Sequence, residues 1–466
     1  MDVLKSVRRF ANSKFWGLLS IITLTLLSNA MLRVMKDTLL FSNNSSIEVV
    51  HFIKSCLVMP ISIVFVYFYT KASLRFDAKK IIYFILSTFS IFFAIYALFI
   101  YPFRYLLQPN ANVIKLLISK YAYLKWVFVI YGSWSNALFY VFSELWSSIA
   151  LNLIFWQFAN SINTIQEARL TYVYFGILGN VGMMVGGGLI SFLFESNFYY
   201  KVPLMSLLIS LIVLLIIMLY KFMFAVVDTV NLDKSNKGNF SFKSMLHIFI
   251  SSKYLRNIML IVFCYHFTSN LIEVTWKSVL HSSNSNYELY GRDLGMIYMS
   301  SGFISILLFY LPSYLIKNMS WRNMGLLVPV SLTCVASIFY FVLFNSSIFQ
   351  INYKFQLSVV SLFGSIYYIS NRFLKYSVFD PIKEIAYMPL TQSERLKGKT
   401  MIDVFGSKFS KAMSGYVQAL FLILMPSATQ TYISKYLVYI VALFMLVWIR
   451  SVLVVSKEYD KISQNQ

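Results

Sequence analysis

Charge is the scarce ingredient of this chain. Asp, Glu, Lys and Arg make up 12% of its 466 residues, about half the share usual in a soluble domain. Hydrophobic residues make up 58% and the mean hydropathy is +0.68, so a soluble globular protein is excluded. Nine prolines and 17 glycines exclude a collagen-like or low-complexity polymer. Cysteine is almost missing. Cys56, Cys264 and Cys334 lie in separate apolar runs without a CxxC spacing, so neither a disulfide framework nor a metal site is expected, and they read as inert core residues. Histidine is nearly as rare, and His51 and His266 sit in apolar stretches with no companion ligands. No His, Cys or Asp cluster suits a membrane-embedded enzyme, so no enzymatic activity and no cofactor are expected. Gly398-Lys399-Thr400 looks like the end of a phosphate-binding loop, but the glycine required five residues earlier is Ser393.

What the chain has is long apolar runs. A bilayer-crossing helix needs about 20 mostly apolar residues, and twelve segments qualify: 15–41, 48–70, 81–103, 122–160, 171–196, 203–226, 254–281, 291–316, 322–346, 356–390, 399–425 and 430–456. The first is longer than a signal-peptide core and leads into charged helix, so it reads as a retained span. A polar stretch from Asp228 to Ser244 divides six spans from six. The expected fold is therefore an all-α polytopic membrane protein with twelve transmembrane helices in two six-helix halves, major-facilitator-like. The halves are residues 1–227 and 254–466, joined by a cytoplasmic linker at 228–253. Lys and Arg fall mainly on the side that carries both termini, which makes the termini cytoplasmic. Arg104, Lys115, Lys120 and Lys125 cluster on the other side. A weak repeat supports two halves: Glu167, Arg169 and Gly179 recur as Glu394, Arg395 and Gly406. Gly182 and Gly186 form a GxxxG with Gly179, Gly187 and Gly188 nearby, the pattern of close helix packing.

Some of the scarce charge lies inside the spans, where it is costly and usually faces a cavity or a partner. The basic residues there are Arg33, Lys36, Lys54, Lys277, Arg372, Lys375, Lys383, Lys408, Lys411 and Arg450. They outnumber the acidic Asp37, Glu144, Glu273, Asp380, Glu384 and Asp403, and the excess points to an anionic substrate. Helical spacing offers local ion pairs for Arg33–Asp37, Glu273–Lys277 and Asp380–Lys383. Lys54, Glu144, Lys408 and Lys411 have no opposite charge three or four residues away. Each of those four needs a partner on another helix, in water or on a ligand. Two readings stand: an interhelical Lys–Glu pair, or a ligand or gating role.

Several strings that carry these charges resemble the nucleotide transporter family of plastids and obligate intracellular bacteria, the ATP/ADP translocases. LRVMKDTLL from Leu32 to Leu40 resembles R-x-x-K-D-x-L. HFIKSCLVMPISIVFVYFYTK from His51 to Lys71 is similar to F-L-K…P…Y-T-K. ELWSSIALNLIFWQFANSINTIQEAR from Glu144 to Arg169 resembles E-L-W-G-S…F-W-x-F-A-N-x-I-T-T-x-x-E-A. NLIEVTWKSVL from Asn270 to Leu280, FDPIKEIAYMPL from Phe379 to Leu390 and LKGKTMIDVFG from Leu396 to Gly406 have similar counterparts. Departures are Ser147 in place of Gly, and GSKFSKAMSG from Gly406 to Gly415 in place of a small-residue-rich G-K-S-G.

The resemblance implies a nucleotide antiporter that exchanges external ATP for internal ADP plus phosphate by alternating access. It implies that Lys54, Glu144, Glu273 and Lys411 carry the function. Arg33, Lys36, Lys277 and Lys383 complete the candidate substrate-binding set. The expected partners are ATP, ADP, phosphate and the lipid bilayer, with no nucleic acid, in a monomer. The expected location is the inner membrane of an intracellular bacterium or a plastid-like membrane. Relatives that carry other nucleoside triphosphates, NAD or nucleotides with protons leave those substrates as alternatives, as does another phosphorylated organic anion.

Overall fold

A computed structural model describes residues 13–41, 47–73, 75–163, 165–226, 252–284, 286–308, 311, 318–345, 353–390, 398, 401–402, 406–425 and 428–464, without side chains at 70 and 165–173. Among them no strand occurs. Helices stand at each expected span: α1 Ser13–Phe41, α2 Val49–Ser73, α3 Ala78–Ile100, α4 Trp134–Ile162, α5 Ile165–Glu195 and α6 Lys201–Val226. The second half supplies α7 Lys253–Ser283, α8 Tyr287–Leu307, α9 Trp321–Phe344, α10 through Tyr353–Leu374, Lys375–Phe379 and Asp380–Ala386, α11 Ser407–Leu424 and α12 Gln430–Gln464. Among the described residues, nine helices are long and apolar enough to cross a bilayer, and α8, α10 and α11 are not among them. The reason is visible in α10 and α11, which carry Arg372, Lys375, Asp380, Lys383, Glu384, Lys408 and Lys411.

The fourth span begins later than expected. Residues 104–132 form short helices at Arg104–Leu107, Ala111–Lys120, Ala122–Leu124 and Lys125–Gly132, and the long helix starts only at Trp134. A single helix over 122–160 would be about 58 Å long at 1.5 Å per residue, far more than a bilayer of about 30 Å needs. The chain breaks at Ser133, whose hydroxyl bonds back to the Val129 carbonyl.

Two compact units are present. The first gathers residues up to Val49, Cys56–Ser235 and Asn286–Ile306. The second gathers Val50–Ser55, Asn236–Ser285 and Leu307 onward. Within the first, α1 is central and packs on α4, α5 and α6, while α3 packs on α6. Within the second, α7 packs on α10, α11 and α12, and α9 packs on α12. The same pairings six helices apart are what an internal repeat produces. Gly179 repeats as Gly406: a Cβ at Gly179 would meet Leu26 of α1, and one at Gly406 would meet Met259 of α7. The charged members of the sequence repeat, Glu167 and Arg169 with Glu394 and Arg395, lie outside the described side chains.

The glycines of α5 do what their spacing predicts. A Cβ at Gly182 would collide with the Thr23 carbonyl oxygen, and one at Gly186 would come within 2.5 Å of the Leu27 oxygen, so α5 lies backbone to backbone on α1. On its other face Gly187 meets Gly295 and Met299 of α8, which belongs to the same unit. The cysteines correct the expectation of three core residues. Cys264 is buried, but Cys56 and Cys334 are exposed, and all three are free.

Candidate functional site

The sequence-derived residues fall into three groups, one in the first unit and two in the second. In the first unit they meet between α1 and α4. Lys36 is 4% exposed and its ammonium lies 2.9 Å from Glu144 and 3.0 Å from Asp37. It also sits 3.9 Å from the centre of the Tyr140 ring, a cation–π contact. Glu144, which has no cation at helical spacing, thus takes one from another helix. Arg33 lies one turn earlier on α1. Its guanidinium donates to Ser147 of α4 at 3.1 Å and to the Asn29 side chain at 3.4 Å. Ser147 opens a stretch of wide π-helical turns, Ser147–Phe155, the local distortion that often accompanies functional sites. The serine that departs from the family string is therefore the residue that meets Arg33.

In the second unit α7 is the organiser. Asn270, Glu273 and Lys277 recur at one- and two-turn spacing and share a face. Glu273 accepts from Lys277 at 2.7 Å, as the spacing predicts. Asn270 accepts from Lys54 at 3.1 Å and donates to Ser414 of α11 at 2.6 Å. Ser414 in turn donates to the carbonyl of Lys411 at 2.7 Å. Lys54 stands on another π-helical stretch, Ile53–Val58. Sequence places Lys54 and Lys411 in opposite halves, but residues 50–55 pack into the second unit with α11. Neither lysine is fully buried: Lys54 is half-buried and Lys411 exposed, which lowers the cost of keeping each charged.

A third patch lies on α10. Lys383 pairs with Asp380 at 3.7 Å, again as spaced. Arg372 donates to the Tyr368 hydroxyl at 2.9 Å, and Tyr368 stacks on Trp276. His51 is fully buried, with Nε2 2.9 Å from the Gln430 amide oxygen, and Gln430 donates on to Gln418 at 2.7 Å. Asp403 lies outside the described residues.

The sequence model of the TLC ATP/ADP transporter family matches residues 1–459. The chain belongs to that family. The ADP,ATP carrier protein 3 of Rickettsia prowazekii (strain Madrid E) is 32% identical over 461 residues, 93% of this chain and 92% of that protein. The ADP,ATP carrier protein 1 of Rickettsia typhi (strain ATCC VR-144 / Wilmington) is 29% identical over 473 residues, 97% of this chain and 95% of the relative. The fold is similar to that of a bacterial homologue of the iron transporter ferroportin in an inward-facing state. That match has a TM-score of 0.58 at 12% identity and covers 97% of this chain and 98% of the other. A D-xylose–proton symporter matches with a TM-score of 0.55 at 11% identity, covering 95% of each chain. At such identities the likeness concerns fold alone.

Residues that the charge pattern did not single out complete these contacts. Asn270 meets Lys54, Ser147 meets Arg33, Tyr140 meets Lys36, Gln430 meets His51, and Ser414 meets the Asn270 amide. One signal was available: each is a polar or hydroxyl-bearing side chain inside an apolar run, where an amide or hydroxyl must find a hydrogen-bond partner. Among the described residues no group of His, Cys, Asp and Glu could hold a metal ion.

Proposed function

We propose that the protein is a multi-pass nucleotide antiporter of a bacterial inner membrane that takes up external ATP in exchange for internal ADP plus phosphate. The observation that carries this reading is family membership across residues 1–459, joined to cationic side chains inside the spans. In this reading Lys54 and Lys411 supply charge to the phosphate chain. Each charge-assisted contact replaces part of the hydration shell that the phosphates leave behind. In each unit a carboxylate holds a lysine, Glu144 on Lys36 at 2.9 Å and Glu273 on Lys277 at 2.7 Å, and that pairing offsets the cation. Arriving phosphate competes with those carboxylates. Alternating access then exposes the occupied site to each side in turn, and exchange follows if the empty site reorients slowly. The nucleotide is carried without chemical change.

The test is transport by purified protein in liposomes preloaded with ADP. Labelled ATP should enter only when ADP or ATP is inside, and it should be recovered intact. Uptake competed by sugar phosphates but indifferent to nucleotides would refute this reading. Uptake of NAD, or uptake driven by a pH gradient into empty liposomes, would replace it with one of the alternative substrates or couplings.

A further inference from the structure

Four basic residues lie in the segment that joins α3 to α4. Arg104, Lys115, Lys120 and Lys125 fall within residues 104–132, and no acidic residue occurs between Asp77 and Glu144. Among the described residues none of the four has a carboxylate partner. The bias of Lys and Arg predicts that this end of the bundle faces away from the cytoplasm, where such a cluster is out of place. The helices Ala111–Lys120 and Lys125–Gly132 have 10 and 8 residues, too few for the about 20 that a crossing needs.

The segment is anchored. The Asn110 side chain accepts from the Asn112 amide at 3.0 Å and caps the first helix. A Cβ at Gly132 would lie 3.2 Å from Ile114, so the two helices touch. The Trp134 indole donates to the Leu107 carbonyl at 3.0 Å and the Gln108 amide to the Ser135 hydroxyl at 2.8 Å, which ties the segment to the start of α4. Yet no side chain of Ala111–Lys120 is buried. Asn112, Lys115 and Ser119 share one face of that helix, and Val113, Leu116 and Leu117 another. Leu116 is 69% exposed, Leu106 83% and Tyr123 86%. Rings stand beside the cations: Arg104 lies 4.0 Å from the centre of the Tyr101 ring, Lys125 4.7 Å from Trp126 and Lys120 5.5 Å from Tyr121.

We propose that residues 104–132 bind anionic phospholipid: their apolar side chains enter the boundary between headgroups and acyl chains, and Lys115, Lys120 and Lys125 meet headgroups of net negative charge. Such binding is independent of which substrate is carried. Exposed apolar side chains cost free energy in water and regain it at the acyl boundary. Lysines without a carboxylate gain from an anionic surface. Tyr and Trp rings concentrate in the same layer. A soluble anion would use the lysines alone and leave Leu106, Leu116 and Tyr123 in water.

The experiment places a fluorophore on Leu116→Cys of the full-length protein in phosphatidylcholine nanodiscs. The exposed cysteines are removed as Cys56→Ser and Cys334→Ser, and Cys264 is buried. Phosphatidylglycerol or phosphatidylcholine brominated on the acyl chain is then added as quencher. Both should quench, and the anionic lipid should do so at a mole fraction at least about fivefold lower, the factor that one lysine near an anionic surface contributes. Salt at about 1 M, where the screening length is about 3 Å, should bring the two lipids together without any further substitution. Lys115→Gln, Lys120→Gln and Lys125→Gln combined should do the same at low salt, and Lys115→Gln or Lys120→Gln alone should do so in part. Quenching by neither lipid would show that the segment stands clear of the bilayer and would overturn the proposal. So would equal quenching by both lipids in the wild type, or a preference that survives high salt or the triple substitution. Loss of the preference on adding ATP or glycerol phosphate at constant ionic strength would also overturn it, since the lysines would then serve a soluble anion.

Discussion

A lysine in an apolar stretch is tolerated for reasons that differ from site to site, and those reasons set what each substitution should do. Lys36 is buried and holds two carboxylates. Lys36→Met takes the ammonium from both Asp37 and Glu144, the situation that costs about 3–5 kcal/mol when a buried pair is broken. Glu144→Gln leaves the ammonium on Asp37 and keeps an acceptor beside it, and should cost about 1 kcal/mol. Thermal unfolding of the solubilised protein should therefore rank Lys36→Met well below Glu144→Gln, and the reverse order would show that the α1–α4 pair does not support the fold. Lys54 and Lys411 are less buried and should show the opposite profile. Gln at either position should leave Tm within a few degrees of wild type but raise KM for ATP on the order of tenfold, the range of a lost charge-assisted contact. Wild-type KM in both variants would move the phosphate site elsewhere, to Arg33, Lys36 and Lys383 first.

At the scale of the helix, the twelve places expected from apolar runs all hold helices, because a run of that length in a bilayer must satisfy its backbone internally. Boundaries were legible where charge and polarity change sharply, as at the start of α6, expected at 203 and found at Lys201. They were not legible at α4, where Trp126 and the apolar residues after it belong to a separate short helix. The wide turns at Ile53–Val58 and Ser147–Phe155 were not legible either, because the pattern of side chains does not distinguish a π turn from an α turn. Helix contacts through glycine are a sharper matter. Gly176 and Gly182 both lie on α5, but a Cβ at 176 meets nothing within 4 Å and one at 182 meets the Thr23 carbonyl. Gly176→Ala should therefore stabilise slightly, by about 0.5–1 kcal/mol, the usual gain inside a helix. Gly182→Ala should force α5 from α1 and lower both Tm and the amount of protein in the membrane. Equal behaviour of the two alanine variants would mean that α5 does not rest on α1.

For the whole molecule the testable statement is orientation. The bias of Lys and Arg predicts that both termini and the 228–253 linker face the cytoplasm. Reporter fusions after Gln466 and near Lys237 should both read as cytoplasmic, and opposite readings would mean an odd number of crossings between them. Class and family could be read from the chain alone. Apolar composition forces a membrane helix bundle, and charges too costly to be incidental mark out short strings that belong to the TLC transporters. Ion pairs within one helix, Glu273 with Lys277 and Asp380 with Lys383, follow from 3.6-residue spacing and were equally legible. What only the tertiary structure decided is which partner each remaining charge meets: Glu144 on Lys36, Arg33 on Ser147, Lys54 on Asn270, His51 on Gln430. Those contacts join residues more than a hundred positions apart. They depend on the rotation and depth of one helix against another, which sequence periodicity along a single helix does not encode.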